Sequence, residues 1–153
     1  MDAELSKEKV KVLPLEKNDI YVYGSLMRKT LKTVQCSDDY LNDLTSNAFS
    51  RYFKMVEGGT FIGALSIWHV FEDIQILTIG ICPSLQGRGF GNQLMLFLLD
   101  YAKMHAVERL SLEVRLSNQV AIQFYEKFGF KKEAIRKNYY NDGEDAHLMV
   151  KYV

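Results

Sequence analysis

The stretch Gln86-Gly87-Arg88-Gly89-Phe90-Gly91-Asn92 sets three glycines at alternate positions. They stand just before the most apolar run of the chain, Leu94 to Leu99. A glycine in a helix interior costs roughly 1 kcal/mol against alanine, so the bare backbone must serve here better than side chains would. The apolar stretch DIQILTIGICP precedes the loop. A strand that feeds a glycine-rich turn and then a helix offers the unpaired N–H groups of the first helical turn to an anion, and the helix dipole favours that anion. Glycine keeps those groups accessible, and Arg88 adds a positive charge. The chemistry is phosphate binding. A Walker A loop would need Gly-Lys-Ser/Thr, which is absent. The G-x-G-x-x-G register begun at Gly87 or Gly89 ends on Asn92 or Leu94, so the dinucleotide fingerprint fails as well. What stands is Q-x-x-G-x-G, carried by Gln86, Gly89 and Gly91. A tight strand-to-helix turn without a ligand would account for the same glycines.

Further along, Glu113 alternates out of phase with Leu112 and Val114 and so faces the opposite side of a sheet. It is either a general base or a surface glutamate paired with Arg109 or Arg115. Ala121, Ile122 and Tyr125 share one helical face, where the tyrosine ring packs with or without work for its hydroxyl. Asn118 opens that helix as its N-cap. The two cysteines, Cys36 and Cys82, lie far apart without metal-ligand spacing, so a zinc site or disulfide framework is not expected. Cys82 reads as packing, and so do Trp68 and His69.

These residues need elements to position them. Val10 to Leu13 reads as a first strand. A helix follows, capped by Asn18 or Asp19, with Ile20, Tyr23 or Gly24, Met27 and Leu31 at helical spacing. DDYLNDLTSNAF is a second helix, capped by Ser37, Asp38 or Asp39. RYFKMVE, Gly58-Gly59 and TFIGALSIWHVFE form a hairpin, and Glu72-Asp73 turns the chain into a third strand. A long helix from about Phe90 to His105 is apolar nearly all round, which implies burial on several sides. RLSLEVRLSN is the next strand, NQVAIQFYEKFGF a helix ending at Gly129, and KKEAIRKNYY with DAHLMVKYV a last hairpin turning at Asn141-Asp142-Gly143. The order β-α-α-β-β-β-α-β-α-β-β means a mixed α/β sheet in a single domain, 1–153.

With 153 residues, 48% of them hydrophobic, and zero formal net charge, the chain affords a core. Nothing in its overall charge points to nucleic acid. The N-terminus lacks an apolar signal core, and no apolar run is long enough to span a bilayer. Reduced thiols in the cytoplasm, with no membrane and no nucleic-acid partner, are the expectation.

The Q-x-x-G-x-G loop resembles the acetyl-CoA pyrophosphate loop of the GNAT N-acetyltransferases, and the element order resembles their fold. LEVR, SNQVAIQFYEKFGF and NYYNDGEDA resemble one branch, the RimI-like protein Nα-acetyltransferases. The likeness covers roughly Ile74 to Val150; the first seventy residues match in element order only. It implies acetyl transfer from acetyl-CoA to the N-terminal α-amine of a protein, such as a ribosomal protein, by direct attack on the thioester and without a metal. It implies Glu113 as base acting through water, Tyr125 as acid near the sulfur, and Asn118 on the pantetheine arm. Ile79 and Ile81 would pair with that arm, with the Ile81 N–H as oxyanion donor. Gln86, Gly87, Arg88, Gly89, Phe90, Gly91 and Asn92 would hold the cofactor. The pair Tyr139 and Tyr140 would line the peptide slot, Tyr139 facing it, unless both are cross-strand packing. Asp142, Glu144 and Asp145 either attract the amine or form the turn, and Asp142 reads as turn. The segment from Leu31 to Asp38 would shape the acceptor site. A lysine side chain, a small amine or antibiotic as acceptor, or a catalytically silent acyl-CoA sensor, are the alternatives. A monomer or weak homodimer is expected.

Overall fold

A computed structural model of the chain describes residues 9–31 and 37–153, with the backbone alone at 30, 31, 37 and 38. The N-terminal eight residues, the stretch 32–36 with Cys36, and hence most of the expected acceptor-shaping segment lie outside the described residues.

The elements are β1 (Val10–Pro14), a 3-10 turn (Lys17–Asp19), α1 (Ile20–Leu31), α2 (Ser37–Ser46), β2 (Ser50–Glu57), β3 (Thr60–Val70), β4 (Asp73–Ile81), a second 3-10 turn (Pro83–Leu85), α3 (Phe90–Met104), β5 (Arg109–Arg115), α4 (Gln119–Lys127), β6 (Lys131–Arg136) and β7 (Ala146–Tyr152). This is the α/β order that the sequence predicts. The chain divides into two compact units, Met1–Trp68 with Leu77–Tyr101, and His69–Ile76 with Ala102–Val153. Strand β4 contributes its second half to the first unit and its first half to the second.

In the first unit β1, β2 and β3 pair antiparallel in succession, Leu13 opposite Lys54 and Tyr52 opposite Ser66. Helix α1 buries Ile20, Tyr23 and Met27, one stripe at i, i+3 and i+7. The Tyr23 ring meets Tyr40 and Tyr52 edge-on, with centroids 5.0 and 5.4 Å away. Beside them Asp43 accepts from Tyr52 Oη at 2.5 Å, Ser50 Oγ at 2.6 Å and Asn47 Nδ2 at 3.1 Å. Burial alone would raise this carboxyl. The bonds from Ser50, Tyr52, Asn47 and Trp68 together hold it below the ordinary aspartate value. Helix α3 buries Leu94, Met95 and Leu98, but Leu96 is 52% exposed. The expectation of burial on several sides therefore gives way to one covered face.

In the second unit β4 and β5 are parallel from Asp73–Arg109 to Gln75–Ser111. Strand β5 then pairs antiparallel with β7, and β7 with β6. Strand β6 is an edge strand, all six of its residues exposed, with a register shift between Lys132 and Ala134. Helix α4 has the predicted ends. Asn118 Oδ1 accepts from Ala121 N at 3.1 Å, and Gly129 is left-handed at φ +92°. The N–H groups of Gly129 and Phe130 close on the carbonyls of Glu126 and Tyr125, a Schellman turn that fixes the end of the helix.

Three local expectations are corrected. Neither Asn18 nor Asp19 is the N-cap of this helical segment, which opens a turn earlier with Glu16 as N-cap; Asp19 ends the 3-10 turn, closes a capping box by accepting from Glu16 N at 2.8 Å, and holds Lys54 at 2.7 Å. Ser37, Asp38 and Asp39 all lie inside α2, so none of the three precedes that helix as its cap. The turn before β4 is Phe71-Glu72, with Phe71 left-handed at φ 54°, and Asp73 already belongs to the strand.

Candidate active site

The residues with chemical potential form two groups, one in each unit. In the first, β4 ends at the glycine loop. Cys82 N donates to Ile62 O on β3 at 2.8 Å. Successive residues of an extended strand turn their N–H groups to opposite edges, so the N–H of Ile81 points away from β3. The Ile81 carbonyl accepts from Gln86 Nε2 at 3.1 Å. Gln86 thus ties the start of the loop back to the end of the strand. Gly87 and Gly89 are left-handed, at φ +78° and +85°, and a Cβ on either would stand in open space. Conformation demands glycine here, and the room above it is available to a ligand. The carbonyl of Gly89 accepts from Gln93 N at 3.1 Å, which makes Gly89 the N-cap of α3. A glycine N-cap supplies no side chain to the first-turn N–H groups. Arg88 is exposed beside it. Gly91 is different. It is the second residue of α3 and has no positive φ, so its value lies in the absent side chain alone.

Gly63 on β3 carries no signal in the sequence beyond its place inside a strand pattern. A Cβ there would lie 2.8 Å from Ile81 Cδ1 and 3.0 Å from the Gly80 carbonyl oxygen. A glycine inside a strand pattern is the signal that marks such a close approach.

In the second unit Glu113 projects from β5 with its side chain only 10% exposed. Arg136 Nε donates to Oε1 at 3.0 Å and Gln75 Nε2 to Oε2 at 3.3 Å. The pairing with Arg109 or Arg115 is therefore corrected. Arg109 lies by Asp73 and Glu133, and Arg115 holds Asp142 and Glu144. Tyr125, on α4, is half-buried between the rings of Phe124 and Phe130. Burial, with a smaller contribution from Tyr140, pushes its hydroxyl up to about 12.

Tyr139 and Tyr140 are not on a strand. Strand β6 stops at Arg136, and both tyrosines sit in the nine-residue connection to β7. Left-handed Asn138 donates its N–H to Asp145 Oδ1 at 2.8 Å there. Arg115 pins the connection. It reaches Asp142 at 2.8 Å and Glu144 at 3.0 Å, and its guanidinium lies 4.0 Å over the Tyr140 ring. Tyr140 is the packed member of the pair, and Tyr139 is 47% exposed. Burial first, then the charge of Glu113, raises the Tyr139 hydroxyl. Asp142 and Glu144 accept from Arg115, Glu144 accepts also from Ser117 N at 2.9 Å, and Asp145 accepts from Asn138 N.

The family model described as Acetyltransferase (GNAT) family matches residues 22–130. The chain is a GNAT acetyltransferase. A Bacillus subtilis protein, provisionally named a ribosomal protein bS18-alanine N-acetyltransferase, is 35% identical to it over 144 residues, 94% of this chain and 95% of that one. The Escherichia coli ribosomal protein bS18-alanine N-acetyltransferase is 37% identical over 109 residues, 68% of this chain and 74% of that one. The crystal structure of an Escherichia coli ribosomal-protein-S18-alanine N-acetyltransferase superposes with a TM-score of 0.86 at 26% identity, covering 95% of this chain and 94% of that one.

In this acetyltransferase Cys82 packs against the tyrosine cluster of the first unit, its sulfur 3.6 Å from Ser84 Oγ. Among the described residues no cluster of three or more His, Cys, Asp or Glu side chains is placed to hold a metal ion. No described helix is long and apolar enough to cross a membrane. A cleft of about 470 Å³ in the second unit is lined by Gly129, Lys131, Lys132, Glu133, Val150 and Tyr152, and includes none of the expected site residues.

Proposed function

We propose that the chain transfers the acetyl group of acetyl-CoA to the N-terminal α-amine of a protein in the cytoplasm, with a ribosomal protein of the bS18 kind as acceptor. The observation that carries the cofactor is the start of α3: left-handed Gly87 and Gly89 with open space above them, a glycine N-cap and an adjacent arginine. The named relatives support the acceptor class. Acetyl-CoA supplies an activated acyl group as its thioester.

The residues divide the work. Gly87, Arg88, Gly89, Phe90, Gly91 and Asn92 hold the pyrophosphate through backbone N–H groups and the Arg88 charge. Gln86 positions that loop. Ile79 and Ile81 pair with the pantetheine arm, and the N–H of Ile81 donates to the acyl oxygen. Asn118, already the N-cap of α4, uses its amide nitrogen on the same arm. A free α-amine is mostly protonated at neutral pH, with a pKa of about 8, and Glu113 takes that proton through a water. Tyr125, whose hydroxyl stays protonated far above neutral pH, gives a proton to the departing sulfur. Tyr139 hydrogen-bonds the backbone of the acceptor. The chain works as a single acetyltransferase domain, 1–153.

The test is mass spectrometry of peptides varied in their first residues, beside N-terminally blocked peptides that contain lysine. Acetyl groups on free N-termini alone support the reading, and a preference for the bS18 N-terminus supports the acceptor. Acetylation of the blocked peptides overturns it in favour of lysine. Acetyl-CoA binding without turnover on any peptide overturns it in favour of a small amine or a silent sensor.

A further inference from the structure

We infer that the Glu113 carboxylate is the docking point for the ammonium group of the acceptor, and that Arg136 occupies this point until an acceptor arrives. The inference rests on the assignment of Glu113 to the reaction. Glu113 lies opposite Leu148 on β7, and Leu148 opposite Ala134 on β6. Arg136 is two residues beyond Ala134 and so shares its face. Gln75 lies opposite Ser111, two residues from Glu113. One sheet face therefore presents a neutral amide, a nearly buried carboxylate and a guanidinium in a row.

The two partners of Glu113 differ in kind. Gln75 is neutral and binds Oε2 from the inner strand β4. Arg136 binds Oε1 by Nε alone, with its side chain 50% exposed, from the edge strand. Arg115 in the same unit shows a cation that is meant to stay: it grips two carboxylates and lies over an aromatic ring. Arg136 has one bond, through Nε, which water can replace on its exposed side. Glu113 itself cannot lose a cation cheaply, because a carboxylate so little exposed is costly when unpaired. The arriving ammonium brings the charge that the guanidinium gives up, and the water through which Glu113 takes its proton carries the hydrogen bond to Oε1. A neutral acceptor group, such as a hydroxyl or a blocked amide N-terminus, brings no charge. It would have to displace Arg136 without compensation, and the exchange selects cationic amines.

Arg136→Met keeps the stem of the side chain and removes the competing charge. At saturating acetyl-CoA, the expected result is a KM for the peptide lower by about two- to five-fold, the range of a half-exposed ion pair. The kcat is expected to stay within about twofold of the parent. Arg136→Lys returns KM toward the parent value. Methylguanidinium inhibits Arg136→Met competitively against the peptide. A raised KM, or a lowered kcat, in Arg136→Met overturns the inference, because Arg136 would then be supporting Glu113 rather than occupying its place. In a Glu113→Gln background Arg136→Met is expected to leave KM unaltered, and an equal fall there also overturns it. If Glu113→Gln keeps the parental turnover, the base assignment falls, while the KM response to Arg136 still decides the docking point.

Discussion

Gly59 and Gly89 form a matched pair of perturbations. Both are left-handed, at φ +79° and +85°, and neither would bring a Cβ within 4 Å of another group. Alanine at either position pays for the left-handed backbone, about 1–2 kcal/mol. For a chain of this size that lowers Tm by roughly 2–8 °C. The resemblance stops at stability. Gly59 lies in the turn between β2 and β3, and Gly89 is the N-cap of α3. In Gly89→Ala the new methyl stands in the open space beside the first-turn N–H groups. Losing one charge-assisted hydrogen bond to a phosphate there is worth about 1.5–3 kcal/mol, or roughly ten- to a hundred-fold in Kd. Isothermal titration with acetyl-CoA and scanning calorimetry on both variants separate the two effects. The reasoning is refuted if Gly89→Ala binds acetyl-CoA as tightly as Gly59→Ala does.

Four further expectations follow from the described contacts. Tyr125→Phe should lower kcat by about tenfold or more and leave the KM for acetyl-CoA alone; steady-state kinetics with full activity would reduce this ring to packing. Asp43→Ala strips the acceptor from Ser50 and Tyr52, which are 5% and 6% exposed, and should cost about 2–4 kcal/mol in a denaturant titration. The hydroxyls of Tyr23 and Tyr125 are both pushed up to about 12, chiefly by burial, from 10.0. Their contribution to stability is therefore intact below pH 10 and is lost as pH rises toward 12, because the unfolded chain releases these protons first; a Tm that stays level through that range would contradict it. Gly63→Ala presses on Ile81 Cδ1 and on the Gly80 carbonyl oxygen, and should cost about 1–3 kcal/mol together with a higher KM for acetyl-CoA, read by calorimetry and kinetics.

The sequence exposes what is local. The alternation of β5, the Asn118 cap and the Gly129 stop of α4, and the glycines before α3 are each decided within a few residues, and each stands where the pattern places it. Partnerships across long separations are a different matter. Glu113 has arginines at 109 and 115 on its own strand, yet its cation comes from 136, because strand register and not sequence distance decides which side chains share a face. Tyr139 and Tyr140 look like a strand continuing KKEAIR. The chain leaves β6 because the loop has hydrogen-bonding of its own, built around left-handed Asn138 and pinned by Arg115. The apolar run of α3 overstates burial, since only the Leu94, Met95 and Leu98 side is covered. The role of Gly63 is not legible in the sequence because its reason, the carbonyl of Gly80 and the side chain of Ile81, belongs to another strand.

The edge strand β6 bears on the life of the protein before and between catalytic cycles. A bare strand edge is a template on which other chains can add, and it seeds aggregation. In this one Lys131, Lys132, Glu133 and Arg136 supply four charges among six residues, and the ladder breaks its register at Glu133. Charges set along the edge and a bulge in its middle deny a second strand a continuous run of partners. The strand that carries Arg136 to Glu113 is therefore also one that resists growth into fibrils. Replacing its lysines and glutamate to simplify the surface would leave the chemistry in place while removing its protection against self-association.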